Sequence, residues 1–248
     1  MEVKGFLSKR MLATVRMVSA QRSVADVGCD HAYNSIYLVQ QKQPLRVIAT
    51  DINEGPLKRA ADNVARFGVA DRVELRLCDG LAGVEPGEVD TALIAGMGGR
   101  LMVTILSNRP EVLAGITELV LQPQSDRECV RRYLRENGFV ITDEDMVWEE
   151  GKFYAMFRAV RATAECGTEK MPPSNAAVVP QVLADRFGAL LLTGRHPVLK
   201  EFLTQELAKC ELRLDGMEGT EHPRSKERAR EMRLEKQAME EALQYYAL

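Results

Sequence analysis

The stretch VADVGCDHAYNSIY, Val24 to Tyr37, runs from an apolar segment into Asp-x-Gly-x-Asp and then into a helical pattern. A strand that empties into a tight glycine turn brings backbone N–H groups and the next helix's N-terminus to the carboxyl edge of a sheet. A polar ligand can be held there largely by backbone. Gly28 supplies the turn, flanked by Asp26 and Asp30. A dinucleotide fingerprint would need further glycines where Asp30 and Ala32 stand. Two carboxylates repel a pyrophosphate, whereas a cationic ligand such as the sulfonium and amino group of S-adenosylmethionine suits them. An acidic strand end before a glycine is also a common structural turn, so this stretch alone leaves both readings open.

Upstream, Leu7, Met11, Val15 and Val18 form a helical stripe within Lys4 to Ala20, and Lys4, Lys9, Arg10 and Arg16 project elsewhere. This basic side is either a solvated face or a phosphate-contacting one. Downstream, Arg46 to Thr50 is a second buried strand that ends at Asp51, followed by Ile52. Asp51 lies about 20 residues past the glycine turn, where a carboxylate can accept hydrogen bonds from both hydroxyls of a ribose. Asn53 as cap, Pro56 in the first turn and Gly68 as stop frame a helix over Leu57 to Phe67. Arg72 to Cys78 points Val73, Leu75 and Leu77 inward and ends at Asp79-Gly80. Val89 to Ala95 runs into Gly96-Met97-Gly98-Gly99, a cluster that implies close backbone approach or positive φ.

A helix over Arg100 to Ser107 and a strand over Thr117 to Gln122, ending at Pro123, continue the alternation. Ser125 then caps a helix to Asn137, on which Arg127, Arg131 and Arg135 recur at i, i+4 beside Arg132, a second basic face. The alternation breaks at Phe139 to Val147 and Lys152 to Val160, two strands joined by Trp148 to Gly151 with no room for a helix. Five strand–helix beats closed by a hairpin predict an α/β fold, a mostly parallel seven-stranded Rossmann-like sheet with an antiparallel hairpin edge. That is the class I methyltransferase arrangement.

Thr163 to Pro180 reads as a linker. Leu203, Leu207, Cys210, Leu214 and Met217 form one stripe; after breaks at Gly216, Gly219 and Pro223, Ala229, Met232, Lys236, Met239, Leu243 and Tyr246 form another. Two helices of antiparallel coiled-coil type are expected, with domains at 1–162 and 163–248. The segment Arg224 to Lys236 is locally positive and includes Arg228.

At 248 residues the chain can bury a full α/β core and an appendage. A net charge of −3 argues neither for nor against nucleic acid, so local patches must decide. Five scattered cysteines without a C-x-x-C pair fit neither a disulfide framework nor a zinc site. No metal is expected, and the cysteines read as free thiols in a reducing cytoplasm. No apolar run reaches the roughly 18 residues that a membrane span requires.

Asp26-x-Gly28, Asp51, Asp79-Gly80 and Gly96 fall at successive strand ends and define one crevice. Within it, Asp51 would take a ribose, Asp79 an adenine amine and the Gly28 turn a methionyl group, while Gly96 leaves room at the sulfonium. The motifs LSKR at Leu7, DVGCDHAYNSIYL at Asp26, TDIN-GPL around Asp51, CDGL at Cys78, IAGMGG at Ile94, LQPQ at Leu121 and NGF at Asn137 resemble the bacterial tRNA adenine-N1 methyltransferases that modify position 22. The resemblance implies S-adenosylmethionine as donor, tRNA as acceptor and a C-terminal coiled-coil domain that helps hold the tRNA.

The candidate donor-binding residues are Asp26, Gly28, Asp30, His31, Asp51, Ile52, Asp79, Gly80, Gly96 and Met97. Asp30, His31 and Tyr33 are the candidates for positioning and electrostatic roles in catalysis. The candidate tRNA contacts are Lys4, Lys9, Arg10, Gln122, Arg127, Arg131, Arg135 and Arg228. N1 of neutral adenine carries a lone pair and no proton, so no general base is needed. Ala95-Gly96-Met97-Gly98 stands where exocyclic-amine methyltransferases carry Asn-Pro-Pro-Tyr, which favours a ring nitrogen. A monomer or weak dimer is expected. The alternatives are a regulator that senses S-adenosylmethionine and uses its helical tail to bind a protein, or a methyltransferase for another RNA or a small molecule; turnover on tRNA separates them.

Overall fold

In a computed structural model, described for residues 1–162, 179–217 and 223–247, two compact units make up the chain, Met1–Met171 and Pro172–Leu248. All but the last two residues of the expected linker lie outside the described residues, as do Cys166 and Gly219.

The first unit holds β1 (Ser23–Val27), β2 (Arg46–Asp51), β3 (Val73–Leu77), β4 (Thr91–Gly98), β5 (Glu118–Ser125), β6 (Phe139–Glu149) and β7 (Lys152–Arg161). They form one seven-stranded sheet in the order β3-β2-β1-β4-β5-β7-β6. The first five strands run parallel, and β7 is antiparallel to both β5 and β6. Because strand side chains alternate between faces, Ala25 and Val27 join one core cluster and Val24 the other. The helices α1 (Lys9–Arg16), α2 (Tyr33–Gln41) and α3 (Glu54–Arg66) cover one face through Val15, Ile36 and Val64. On the other face, α4 (Gly99–Ser107), α5 (Pro110–Gly115) and α6 (Arg127–Glu136) contribute Met102, Val112 and Leu134. Gly99 is required at the start of α4, since a Cβ there would lie 2.6 Å from the backbone oxygens of Ser125 and Asp126.

Several local expectations are corrected. The first helix begins at Lys9, not Lys4, which sits in a separate 3-10 turn over Val3–Phe6. Ser8 starts α1 by accepting from the Met11 N–H at 3.3 Å, and the Glu149 carboxylate, from the hairpin tip, accepts from the N–H groups of Lys9 and Arg10. An acid at a helix N-terminus satisfies open donors and complements the dipole. Leu77 is half-exposed because β3 is the sheet's edge strand and is covered only at its start. Asn53 makes no side-chain cap; its N–H instead donates to Asp51 Oδ1 at 2.9 Å. Asp126 rather than Ser125 occupies the N-cap position of α6. Strand β5 continues through Pro123, which lacks a donor, by a register shift against β4. The hairpin turn shrinks to Glu150-Gly151, with φ of 48° and 77°, while Trp148 and Glu149 pair with Phe153 and Lys152. Two positive φ values in a two-residue loop match the twist of the flanking strands.

The second unit holds α7 (Gln181–Phe187), α8 (Ala189–Thr193), α9 (Pro197–Asp215) and α10 (Pro223–Gln244). The first two span seven and five residues, too short for periodicity to reveal. Helices α9 and α10 pack antiparallel, burying Leu199, Leu203 and Cys210 against Ala229, Met232, Met239 and Ala242. Lys236, the charged break in the stripe, bridges to Glu211 Oε1 of α9 at 3.0 Å. Tyr246 OH donates to the His196 carbonyl at 3.0 Å, closing the other end.

Candidate active site

The order of parallel strands reverses between β1 and β4, and a crevice outside the carboxyl ends at such a point is where open α/β sheets bind ligands. The Gly28 and Cys29 N–H groups donate to the Thr50 carbonyl at 2.8 and 2.9 Å, tying the glycine turn to the end of β2. Gly28 has φ of +69°, and the Met97 side chain packs against it where a Cβ would lie 2.1 Å from Met97 Cε, so glycine lets β1 and the end of β4 approach closely. Asp30 and Ala32 adopt φ of 47° and 57°. The left-handed backbone that glycines would take is therefore present without them, and its strain is concentrated at the crevice.

Asp26 points toward α2 and is buried, its Oδ2 accepting from Ser35 Oγ at 2.6 Å. Burial pushes its carboxyl up to about 6, against the opposing hydrogen bonds of Ser35. Asp51 is buried at the end of β2. Its Oδ1 accepts from Asn53 N–H and its Oδ2 from Asp30 N–H, at 2.9 and 3.2 Å. Each oxygen retains a lone pair for a further donor. The Asp30 carboxylate is exposed, 3.6 Å from Arg59 Nη2 and 3.7 Å from His31 Nε2. Cys29 reads the local potential: burial first, then the charges of Asp26, Asp51 and Asp30, drive its thiol far above the ordinary range. Burial opposes charge of either sign, so only the contribution of the three carboxylates marks the turn as one that suits a cation.

Asp79, beside Gly80 at the end of β3, lines a cavity of about 370 Å³ with Leu81, Leu101, Ile105 and Arg109. Ile52 and Leu101 are exposed apolar side chains. Neither Leu101 nor Ile105 was among the sequence candidates; Leu101, exposed in the first turn of a helix after a glycine cluster, is a rim residue, whereas Ile105 is a core residue that closes the cavity from below. An apolar wall beside an exposed carboxylate suits a flat heterocycle bearing an amine.

At the end of β4, Gln122 Oε1 accepts from Arg10 Nη1 at 2.6 Å and from the Gly96 N–H at 3.1 Å. Gln122 is fully buried, so it holds Arg10 and the Gly96 backbone in place, and its expected direct contact with RNA is corrected. The Arg10 guanidinium also lies 5.3 Å over the Tyr154 ring. Arg131 is corrected too: its side chain is 3% exposed and pairs with Glu144, 1% exposed, at 2.9 Å. The i, i+4 arginine spacing carries this residue into the core, over the Phe157 ring. Arg127 is half-buried, while Arg135, Lys4, Lys9 and Arg228 are exposed. Arg228 pairs with Glu231 at 2.9 Å. His31 and Tyr33 stack on each other, with centroids 5.7 Å apart.

Sheet order, hairpin edge and acidic crevice together define a Rossmann-like methyltransferase domain. The methyltransferase domain family Methyltransf_18 matches residues 7–157. The tRNA (adenine(22)-N(1))-methyltransferase of Bacillus subtilis is 31% identical over 186 residues, covering 75% of this chain and 78% of the relative. The crystal structure of the B. subtilis M1A22 tRNA methyltransferase TrmK superposes with a TM-score of 0.83 at 25% identity, over 96% of this chain and 98% of that one. Sp1610 of Streptococcus pneumoniae, solved in complex with S-adenosyl-L-methionine, superposes with a TM-score of 0.79 at 32% identity, over 96% and 99%. This chain belongs to the tRNA (adenine(22)-N(1))-methyltransferase family.

Proposed function

We propose that this protein transfers a methyl group from S-adenosylmethionine to N1 of adenine 22 in tRNA, as a cytoplasmic monomer or weak dimer. The observation that carries the reading is the buried Asp51 carboxylate, fixed by two backbone N–H groups with a lone pair left on each oxygen. It sits beside a turn whose other carboxylates favour a cation. The donor set fits: Asp51 takes the ribose hydroxyls, Asp79 and the Leu101 wall the adenine, and Asp26 and the Gly28 turn the methionyl ammonium. When bound, the donor supplies an electrophilic methyl on a sulfonium. The protein's share is positioning, since N1 attacks without losing a proton. Asp30 faces the charge that develops on the methylated base, His31 and Tyr33 stack the base, and Arg10, held by Gln122, orients the acceptor strand. Among the described residues no helix is long and apolar enough to cross a membrane.

Adenine N1 is hidden in a base pair, so the target nucleotide must be unpaired or turned out of its stack, at a cost met by contacts elsewhere on the RNA. Lys4, Lys9, Arg127, Arg132 and Arg135 of the first unit, and Arg228 with its neighbours in α10, supply phosphate contacts that do not depend on sequence. Incubation with unmodified tRNA and labelled donor is expected to place one methyl per tRNA, mapped by mass spectrometry to N1 of adenine 22. No incorporation would leave the regulator reading standing. Affinity for tRNA is expected to fall at least about tenfold between roughly 50 and 200 mM salt; a flat response would overturn the phosphate grip.

Asp26 makes donor binding pH-dependent. An ammonium beside it favours the carboxylate, so affinity is expected to drop about tenfold per unit below the carboxyl's pKa of about 6. Asp26→Asn should remove that slope in calorimetry at pH 7.5 and 5. Stability runs the other way. The folded value lies above the ordinary 3.8, so Asp26's contribution is full below pH 3.8 and is lost as pH rises through about 6. Asp26→Asn is therefore expected to be more stable than wild type at pH 7.5, by up to about 3 kcal/mol. Equal pH slopes in both proteins would remove Asp26 from the donor site.

A further inference from the structure

Leading away from the donor crevice, three rings form a ladder. His31 and Tyr33 lie nearly parallel, 9° apart with centroids separated by 5.7 Å, and Tyr33 and Phe6 follow at 27° and 5.6 Å. Ring planes in contact sit about 3.5 Å apart, so these separations imply lateral slips of about 4 Å. Each ring therefore leaves part of its face uncovered, and the ladder is a flight of steps rather than a closed stack.

The outer step is held in place. Val3 is buried and its N–H donates to Gln40 Oε1 at 3.0 Å, while Gln40 Nε2 donates to the Met1 carbonyl at 2.9 Å, pinning the 3-10 turn to α2. Phe67 meets Phe6 edge-on at 5.4 Å. Phe6 nevertheless remains 41% exposed, with the exposed Arg66 guanidinium 5.3 Å over its ring and Lys4 exposed on the same turn. Aromatic steps rimmed by cations match the chemistry of an unpaired nucleotide, base on ring and phosphate on cation. An apolar partner would not call for Arg66 and Lys4. An acidic peptide would not call for three stepped rings.

We propose that Phe6, at the outer end of the ladder whose inner rings His31 and Tyr33 serve the target base, forms with the uncovered face of Tyr33 a stacking subsite for the unpaired nucleotide next to the methylated adenine, with Arg66 and Lys4 taking its phosphate. This rests on the tRNA reading above and adds a second base to it. The inner step at His31 adjoins Asp30 and the donor crevice, and the outer step at Phe6 lies beyond it. Phe6 acts as a positioning residue: it holds the neighbouring base so that the target base stays out of its stack.

The test uses the full chain and a tRNA hairpin carrying an abasic site at each neighbour of the target in turn. Phe6→Ala is expected to raise KM for the intact RNA about 10- to 100-fold with calorimetric donor binding unchanged, and Phe6→Trp to restore it. One abasic position should cost wild type a similar factor and cost Phe6→Ala almost nothing more. Phe6→Leu, which keeps an apolar group against Phe67, should behave like Phe6→Ala. Wild-type KM in Phe6→Leu, or equal abasic penalties in wild type and Phe6→Ala at every position, would show that the ladder is only packing. Failure of the tRNA reading is distinguished by 2-aminopurine placed beside the target. Its fluorescence should be quenched by wild type and not by Phe6→Ala whether or not methyl is transferred, and absence of that quench overturns the subsite.

Discussion

Asp51→Ala is expected to weaken S-adenosylmethionine binding about 100-fold or more. Hydrogen bonds to a charged acceptor contribute about 1.5–3 kcal/mol each, and Asp51 has a free lone pair on each oxygen for the two ribose hydroxyls. Losing both is a loss of about 3–6 kcal/mol, and a tenfold change in affinity needs about 1.4 kcal/mol. A second loss follows from the same atoms. The Asp30 and Asn53 N–H groups would have no acceptor, so the turn that carries Asp30 and the start of α3 would loosen together. Asp51→Asn should fall between the two proteins, because the amide keeps one acceptor but must turn its NH2 toward one of those backbone donors. Calorimetry with donor, and the donor-induced rise in melting temperature, read the effect, with circular dichroism confirming the fold. Donor affinity within threefold of wild type in Asp51→Ala would exclude this carboxylate as the ribose acceptor.

The row of acidic strand ends was legible because each of its members combines a local signal with a repeated place. Asp26, Asp51 and Asp79 each end an apolar run, and the sheet order then brings those ends to one edge. The hairpin was legible too, since Phe139 to Arg161 leaves no length for a crossover helix. Contacts that depend on a partner distant in the chain were not. Gln122 reads as a polar rim residue until Arg10, from α1, is seen to reach it. Asn53 and Ser125 are good capping residues, yet neither side chain caps a helix: Asn53 keeps the N-cap position of α3 with only its N–H engaged, by Asp51, and Asp126 takes the N-cap position of α6. Phe6 carries no signal in a stripe that starts at Leu7; only the stacking of Tyr33 against it shows why an aromatic stands there. The α7 and α8 helices are too short for a period, and Lys236 looked like a flaw in its stripe until Glu211 supplied the opposite charge.

Arg131 sharpens the point, because its basic face is half structural. Within α6, Val130 and Leu134 face the core, and Arg131 stands one residue from that stripe, close enough to be drawn under β6. Its guanidinium meets Glu144 with both side chains almost fully enclosed. Arg131→Met is expected to destabilise the protein by about 3–5 kcal/mol, since it removes the guanidinium that faces the buried Glu144 carboxylate. For a domain of this size that is a fall in melting temperature of about 6–20 °C. Replacing both partners, Arg131→Met with Glu144→Leu, removes that carboxylate as well, so most of the stability should return. That double variant also separates the two roles an arginine here could have. If Arg131 served the RNA, tRNA affinity would stay low after stability is restored. A buried structural ion pair predicts wild-type affinity and salt dependence in the double variant, and a weaker, less salt-sensitive grip only when the exposed neighbours Arg132 and Arg135 are changed to glutamine.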